Sequence, residues 1–318
     1  MKRFNSPTFL LLLLIFFASP SPGQRTQEVL NKEENAAQLQ TGATSISSVA
    51  AASNLTSGED ELTALNDRGM EQFSAERYDE ALVSFGKAIR LKPQVFGVYF
   101  NLGMTYYNLK RYEEAITSFN QVIRLKPDHL KALTCLGDAY FSLNRFAEAS
   151  ESFSRAVKLN ASDPLTMGKL GTSYYYLGKH EEAITYLQRA VALGSDLPTV
   201  NNNLGSALYE LKRYREALSY FEREMRITPD AAEVHNNRGV ALAGMGRRRA
   251  AIESLQKAVS LKPDYAIAHF NLGISYFAVN DKTNALAQVK RLRTLAPNLA
   301  QELFAGIYQN LVITVKRT

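Results

Sequence analysis

Apolar residues along most of this chain recur at intervals of three and four, not two. In residues 96–129, Tyr99, Leu102, Gly103 and Tyr106 fall on one helical face. After Leu109-Lys110-Arg111, a second face is formed by Tyr112, Ala115, Ile116, Phe119, Val122 and Ile123. Neither run has an internal proline, so the pattern predicts two helices joined by a short turn. The same pattern returns along the chain. Glycine stands at Gly69, Gly103, Gly137, Gly171, Gly205, Gly239 and Gly273, each 34 residues after the last. Twelve residues after each comes an alanine: Ala81, Ala115, Ala149, Ala183, Ala217, Ala251 and Ala285. Seven matches without an insertion or deletion define seven tandem 34-residue units over residues 62–299.

Proline punctuates the units. Pro93, Pro127, Pro229, Pro263 and Pro297 close five of them, and Asp128, Asp230, Asp264 and Asn298, following four of these, are expected as helix N-caps. Pro164 and Pro198 are expected at the first position of the next helix, where the missing N–H is harmless, with Asp163 before the former. A glycine inside a helix costs about 1 kcal/mol relative to alanine. Its recurrence requires a close helix approach, and the alanine of the second helix is the expected facing residue. No 34-residue hairpin buries its own core, so the units must stack.

With Leu62 as position one, the large residue at position four is Leu65, Tyr99, Leu133 and Met167, and position seven is Leu102, Leu136, Leu170, Leu204 and Leu272. Position eleven is Tyr106, Tyr140, Tyr174 and Tyr276, and position twenty-four is Phe85, Phe119, Phe153 and Phe221. This pattern closely resembles the tetratricopeptide repeat (TPR) motif over about three quarters of the chain. Asn201, His235 and His269 at position four, Arg238 at seven, and Glu224 and Leu292 at a usually small site depart from it. The resemblance implies an all-α, right-handed α-solenoid superhelix of helix-turn-helix hairpins, with a concave groove lined by each first helix.

The ends differ in pattern. Lys2 and Arg3 precede a ten-residue apolar run at 9–18 (FLLLLLIFFA), and Ser-Pro-Ser-Pro-Gly follows. Ten residues fall well short of the roughly 20 a membrane-spanning helix needs. The pattern is that of a secretory signal peptide over residues 1–23, with cleavage expected before Gln24. The other reading is an uncleaved membrane anchor. Residues 24–61 turn to Ala, Ser, Thr, Gln and Asn without an apolar period, as expected of a flexible linker. At the other end, Leu303, Phe304, Ile307, Tyr308 and Leu311 lie at helical spacing, which predicts a capping helix over residues 300–318. The apolar stretch 311–315 (LVITV) leaves open an amphipathic docking helix there.

Composition narrows the chemistry. The chain has 318 residues, 46% hydrophobic, with 37 Lys and Arg against 31 Asp and Glu. That mild excess does not indicate a nucleic-acid protein. One cysteine, Cys135, excludes an internal disulfide framework. Phosphate-loop, zincin and nucleophile-elbow motifs are absent from the sequence, and none of the four histidines stands at metal-ligand spacing. No enzyme activity, cofactor or metal is therefore expected, and a protein or peptide is the expected partner.

Two rows on the first helices are candidates for binding it. Position six holds Asn101, Asn203, Asn237 and Asn271, whose amides suit bidentate pairing with an extended peptide backbone. The row resembles the asparagine ladder with which the TPR superhelix of O-linked N-acetylglucosamine transferases grips substrate. Asp67, Cys135 and Lys169 interrupt it. Position twelve adds Phe73, Tyr107, Phe141, Tyr175, Tyr209 and Phe277, either exposed contact area for a ligand or packing between neighbouring first helices. The carboxylate clamp of related three-repeat domains is matched only at Asn101 and Lys131, with Asn66, Met70 and Cys135 at its other positions. A basic stripe, Arg77, Arg111, Arg145, Lys179, Arg213 and Arg247, runs along position sixteen beside Arg248 and Arg249. It either engages an anionic partner, including a membrane surface, or pairs with Glu80, Glu114, Glu148, Glu182 and Glu216 three residues on. Self-association or envelope docking through the last helix and this stripe is the alternative function.

Overall fold

A computed structural model describes residues 58–194 and 199–309. The signal peptide, nearly all of the linker, Pro198 and the LVITV stretch lie outside the described residues. Among the described residues every regular element is an α-helix. The chain divides into two compact bodies, here the front body (58–194) and the back body (199–309).

The front body holds four helical hairpins: α1 (Gly58–Ser74) with α2 (Tyr78–Leu91), α3 (Phe96–Asn108) with α4 (Tyr112–Leu125), α5 (Leu130–Ser142) with α6 (Phe146–Leu159), and α7 (Pro164–Tyr176) with α8 (His180–Ala192). The back body holds three, α9 (Val200–Glu210) with α10 (Tyr214–Ile227), α11 (Ala232–Gly244) with α12 (Arg248–Leu261), and α13 (Ala266–Ala278) with α14 (Lys282–Leu295), followed by α15 (Pro297–Gln309). Helix α1 is already formed at Gly58, four residues before the expected start at Leu62, and the carboxylates of Glu59, Asp60 and Glu61 suit a helix N-terminal end through its dipole.

All seven periodic alanines are fully buried. The residue that each glycine faces is not the alanine, however. A Cβ built on Gly69, Gly103, Gly137 or Gly205 would stand 2.5–2.6 Å from the ring of Phe85, Phe119, Phe153 or Phe221, at position twenty-four of the same hairpin. On Gly171 and Gly239 it would stand 2.7 Å from Leu187 and Leu255. Each glycine is the floor beneath one large side chain of the second helix. The seventh hairpin has the short Val289 at that position, and Leu303 of α15 reaches in over Gly273 instead. Ala300, Leu303 and Ile307 are buried with Phe270, Ile274, Val289 and Leu292, so α15 caps the back body.

The expected caps are shifted by one residue. His129, Ala231 and Tyr265 are the N-caps, not Asp128, Asp230 and Asp264, and Asn298 lies inside α15. Pro and Asp instead form the middle of a turn. The N–H groups of His129, Ala231 and Tyr265 donate to the carbonyls of Lys126, Thr228 and Lys262, three residues back. Proline presets the second position of such a turn, and Asp suits the third. Asp163 does cap α7, accepting from the Leu165 and Thr166 N–H groups, with Pro164 in the first turn. Within each hairpin the reversal takes a left-handed residue at position fifteen. Glycine fills that place at Gly178 and Gly246, while Glu76, Lys110, Asn144, Lys212 and Asn280 accept φ values of 57–62°.

Candidate functional site

The first helices carry both candidate rows, and the asparagines prove to be wired to one another. Asn101 Nδ2 donates to Asn66 Oδ1 at 3.0 Å in the front body. In the back body Asn271 donates to Asn236 (3.0 Å), Asn236 to Asn237 (3.1 Å), and Asn237 to Asn202 (2.9 Å). Four amides thus form a one-directional relay across α13, α11 and α9, each orienting the next. Asn203, Asn237 and Asn271 are 7%, 5% and 0% exposed, so they lie in the contact between first helices and not on an open surface. Asn101 is half-buried. The signal was present in the sequence as a spacing of 35, not 34: Asn66 to Asn101, Asn202 to Asn237, Asn236 to Asn271.

Where the front body lacks asparagine at position six, a different contact takes its place, reaching position nine of the preceding repeat. Lys169 Nζ pairs with Asp138 Oδ2 at 2.9 Å, and Cys135 Sγ stands 3.6 Å from Met104 Sδ. Both pairs are spaced by 31 residues. Burial raises the Asp138 carboxyl above its usual range, and Lys169 opposes that shift. Burial likewise pushes the Tyr107 hydroxyl well above the ordinary phenol range, Asp138 adding to it while a hydrogen bond with Ser142 works against it. Sequence reasoning treated Lys169 as a break in a ladder and passed over Asp138. The two form the principal charged pair of the front body's first-helix face, with Tyr107 close enough to feel the carboxylate.

Five residues of the aromatic row pack across the turn of their own hairpin. Phe73 meets Tyr78, Tyr107 meets Tyr112, Phe141 meets Phe146 and Tyr209 meets Tyr214, with ring centroids 5.1–5.4 Å apart. Tyr175 lies 5.8 Å from His180. The ring partner is thus position seventeen, across the hairpin turn, but the row also meets the neighbouring first helix: Phe141 lies 5.6 Å from Tyr176 of α7, and Tyr107 shares a hydrogen bond with Ser142 of α5. Tyr176 from the fourth repeat joins the third, stacking on Phe146 at 4.7 Å. Phe73 is buried, whereas Tyr107, Phe141, Tyr175, Tyr209 and Phe277 keep part of their surface in water. Burial raises the Tyr209 hydroxyl as well.

The position-sixteen stripe is neutralised in most repeats. Arg77, Arg111, Arg145 and Arg213 pair with Glu80, Glu114, Glu148 and Glu216 at 2.7–3.2 Å. Arg145 also reaches Glu113 of the preceding repeat at 3.4 Å. The Arg111 and Arg213 hydrogen bonds hold Glu114 and Glu216 below the usual carboxylate range. Arg111 and Arg145 further lie 4.7 Å over the rings of Tyr106 and Tyr140. His235 and His269 bond through Nε2 to the carbonyls of Pro229 and Pro263 at 2.8 and 3.0 Å, which ties each first helix to the turn before it. No cluster of three or more metal-ligating His, Cys, Asp or Glu side chains occurs among the described residues.

Comparison with known proteins agrees with this architecture. Tetratricopeptide repeat profiles match residues 97–129, 128–196, 162–229, 196–264 and 236–300, and a TPR repeat profile matches residues 69–110. A search of curated proteins found no match. Among solved structures, the C-terminal part of a TPR repeat-containing protein from Cytophaga hutchinsonii is 20% identical, covering 74% of this chain and 98% of its own, with a TM-score of 0.60. YrrB, described as a TPR protein with an unusual peptide-binding site, is 27% identical, covering 58% of this chain and 95% of its own, with a TM-score of 0.52. A tetratricopeptide repeat protein from Parabacteroides merdae is 15% identical, covering 76% of this chain and 97% of its own, with a TM-score of 0.59. With the period, the glycine-floored hairpins and these profiles in agreement, the chain belongs to the tetratricopeptide repeat family.

Proposed function

We propose that this chain is an exported, non-catalytic protein–protein interaction scaffold that holds an extended peptide or partner segment along its first helices, chiefly in the front body. The observation that carries this reading is the partly exposed row of Tyr107, Phe141 and Tyr175 on successive first helices, beside half-buried Asn101 and the Lys169–Asp138 pair. Aromatic rings supply contact area at low entropic cost, and the polar groups fix the direction of a bound chain. The likeness to YrrB, whose description specifies a peptide-binding site, supports the same reading. The buried amide relay of the back body is assigned to holding repeats together. Export rests on the pattern of residues 1–23.

A photo-crosslinking side chain placed at Tyr175 or Phe141 is expected to capture a partner that the same group at Val83, exposed on α2, does not capture. Capture at Val83 alone would remove the first-helix face from consideration. Sequencing the mature N-terminus tests export, with Gln24 expected as the first residue.

A further inference from the structure

The sixth repeat breaks the charge rule of the others. Where Arg145 finds Glu148 three residues on and Glu113 one repeat back, Arg247 finds Ala250 and Arg215 at the same two positions. Arg247, Arg248 and Arg249 follow one another at the start of α12, whose first turn holds no acid, and all three are exposed. None of them forms an ion pair with a described residue. Of the nearby acids, Glu216 pairs with Arg213, Asp281 accepts from the backbone N–H and the Nδ2 of Asn284, and Glu253, one turn beyond Arg249 on α12, does not pair with it.

Successive hairpin turns of the back body lie side by side. A Cβ on Gly244, at the end of α11, would stand 3.1 Å from the ring of Tyr214, between Arg213 and Arg215. The 34-residue register carries this row on to Lys282, at the start of α14. Lys282 Nζ sits 4.0 Å over the ring of Tyr308, which packs on Phe304 with centroids 4.6 Å apart. Those two rings are 53% and 41% exposed on the outer side of α15. Unpaired cations and exposed rings thus share one edge of the back body.

We infer that this edge docks on an anionic phospholipid bilayer, the guanidinium groups of Arg247, Arg248, Arg249 and Arg215 pairing with headgroup phosphates while Phe304 and Tyr308 enter the interfacial layer. Arginine presents several donors in a plane and suits phosphate oxygens. Stable surface attachment takes two signals, a basic cluster and an apolar one, and this edge has both. The cations are all exposed on long side chains, without buried polar groups to fix one orientation, which suits a fluid charged surface better than a shaped acidic protein. This docking is independent of peptide binding by the front body.

The chain has no tryptophan, so Tyr308→Trp gives a single fluorescent reporter at the edge itself. Because it senses the surroundings of residue 308, it separates this docking from any insertion of residues 9–18. Titrated with vesicles of phosphatidylglycerol and phosphatidylcholine, its emission is expected to shift to the blue. Pure phosphatidylcholine vesicles should leave it unchanged, and about 0.5 M salt should reverse the shift. Adding Arg247→Gln, Arg248→Gln and Arg249→Gln should weaken vesicle binding roughly a hundredfold. Arg111→Gln with Arg145→Gln in the front body should not alter it. A circular dichroism spectrum matching the wild type confirms that each variant is folded. No shift on anionic vesicles, an equal shift on neutral ones, or unchanged binding by the triple variant overturns the inference. So does a polyglutamate peptide that shifts the reporter as strongly as vesicles, which would assign the edge to an acidic protein.

Discussion

The front and back bodies use one buried plan and two different surfaces. In both, a glycine on the first helix lies beneath a large side chain of the second, next to a buried alanine. Outside that plan they diverge. Residues 58–194 hold 16 Lys and Arg against 17 Asp and Glu, whereas residues 199–309 hold 15 against 10. First helices in the front body are bridged by an ion pair, a sulfur pair and one amide pair, and those in the back body by an amide relay. A repeat family keeps its period by conserving volume at a few interior positions, which leaves bridging and surface chemistry free to differ between neighbours. Function must therefore be sought in what is not repeated.

The largest expected effect tests whether the shared plan is equally important in both bodies. Phe153→Ala and Phe221→Ala each remove a fully buried ring from over a glycine and should cost about 3–5 kcal/mol. If stability in a repeat array is a sum of local and nearest-neighbour terms, each loss should appear mainly in the body that carries it. Hydrogen exchange read body by body checks this, and equal loss of protection in both after either substitution would contradict it. Leu303→Ala should come next, at about 3 kcal/mol, because it uncovers Gly273 and opens the end of the back body. The measurement is the urea midpoint. A change below about 0.5 kcal/mol would mean that α15 does not close the core.

These substitutions also mark how far the sequence could be read. A period of 34 exposes which positions recur, so Gly, Ala and the aromatic at position twenty-four were all legible. Periodicity does not say which of them face each other, and the glycine was paired with the alanine when its true neighbour is the Phe or Leu four residues further on. The caps failed for a related reason: Pro127-Asp128 carries both a cap signal and a turn signal, and the turn prevailed, leaving His129 to accept from the Ala132 N–H. Asn237 and Asn271 looked like a ligand ladder because side-chain chemistry alone cannot tell a partner in solution from a partner 35 residues away.

Bridges between first helices can be compared directly. Lys169→Met leaves the Asp138 carboxylate without its counter-charge and should cost the front body about 1–2 kcal/mol, below the range for a fully buried pair because both side chains retain some exposure. Asn271→Ala strands the Asn236 carbonyl in the back body and should cost a similar amount. Matching losses, measured by denaturant unfolding, would show that the two kinds of bridge are interchangeable supports. A neutral Lys169→Met would free that ion pair from a structural role and leave it to ligand contact.

The turn charges should respond with opposite signs in the two bodies. Arg111→Gln and Arg145→Gln remove exposed, solvent-screened ion pairs and ring contacts, and should lower stability only slightly. Replacing Arg247, Arg248 and Arg249 with Gln should instead stabilise the back body by about 1 kcal/mol, since three cations at a helix N-terminus oppose its dipole. The gain should shrink in high salt. Stabilisation of this kind is the expected mark of residues kept for binding and not for folding. A loss on removing them would place them with the front-body arginines.

The smallest effect concerns position fifteen, where both bodies make the same backbone demand and meet it unevenly. Lys212 holds φ at 60° in the fifth repeat, whereas the sixth uses Gly246 at 75°. An L side chain pays for the left-handed conformation, and glycine pays through a freer unfolded chain, so the two terms partly cancel. Lys212→Gly should therefore gain about 0.5 kcal/mol, and Gly246→Ala should lose about 0.5–1 kcal/mol although a Cβ there would meet no atom within 4 Å. The pair is informative because packing contributes to neither. Thermal unfolding of the two single variants and of the double variant should give opposite shifts that nearly cancel. If both single variants lose stability, the turn of the fifth repeat depends on the lysine stem as well as on its dihedral angle, and the two turns are not equivalent copies.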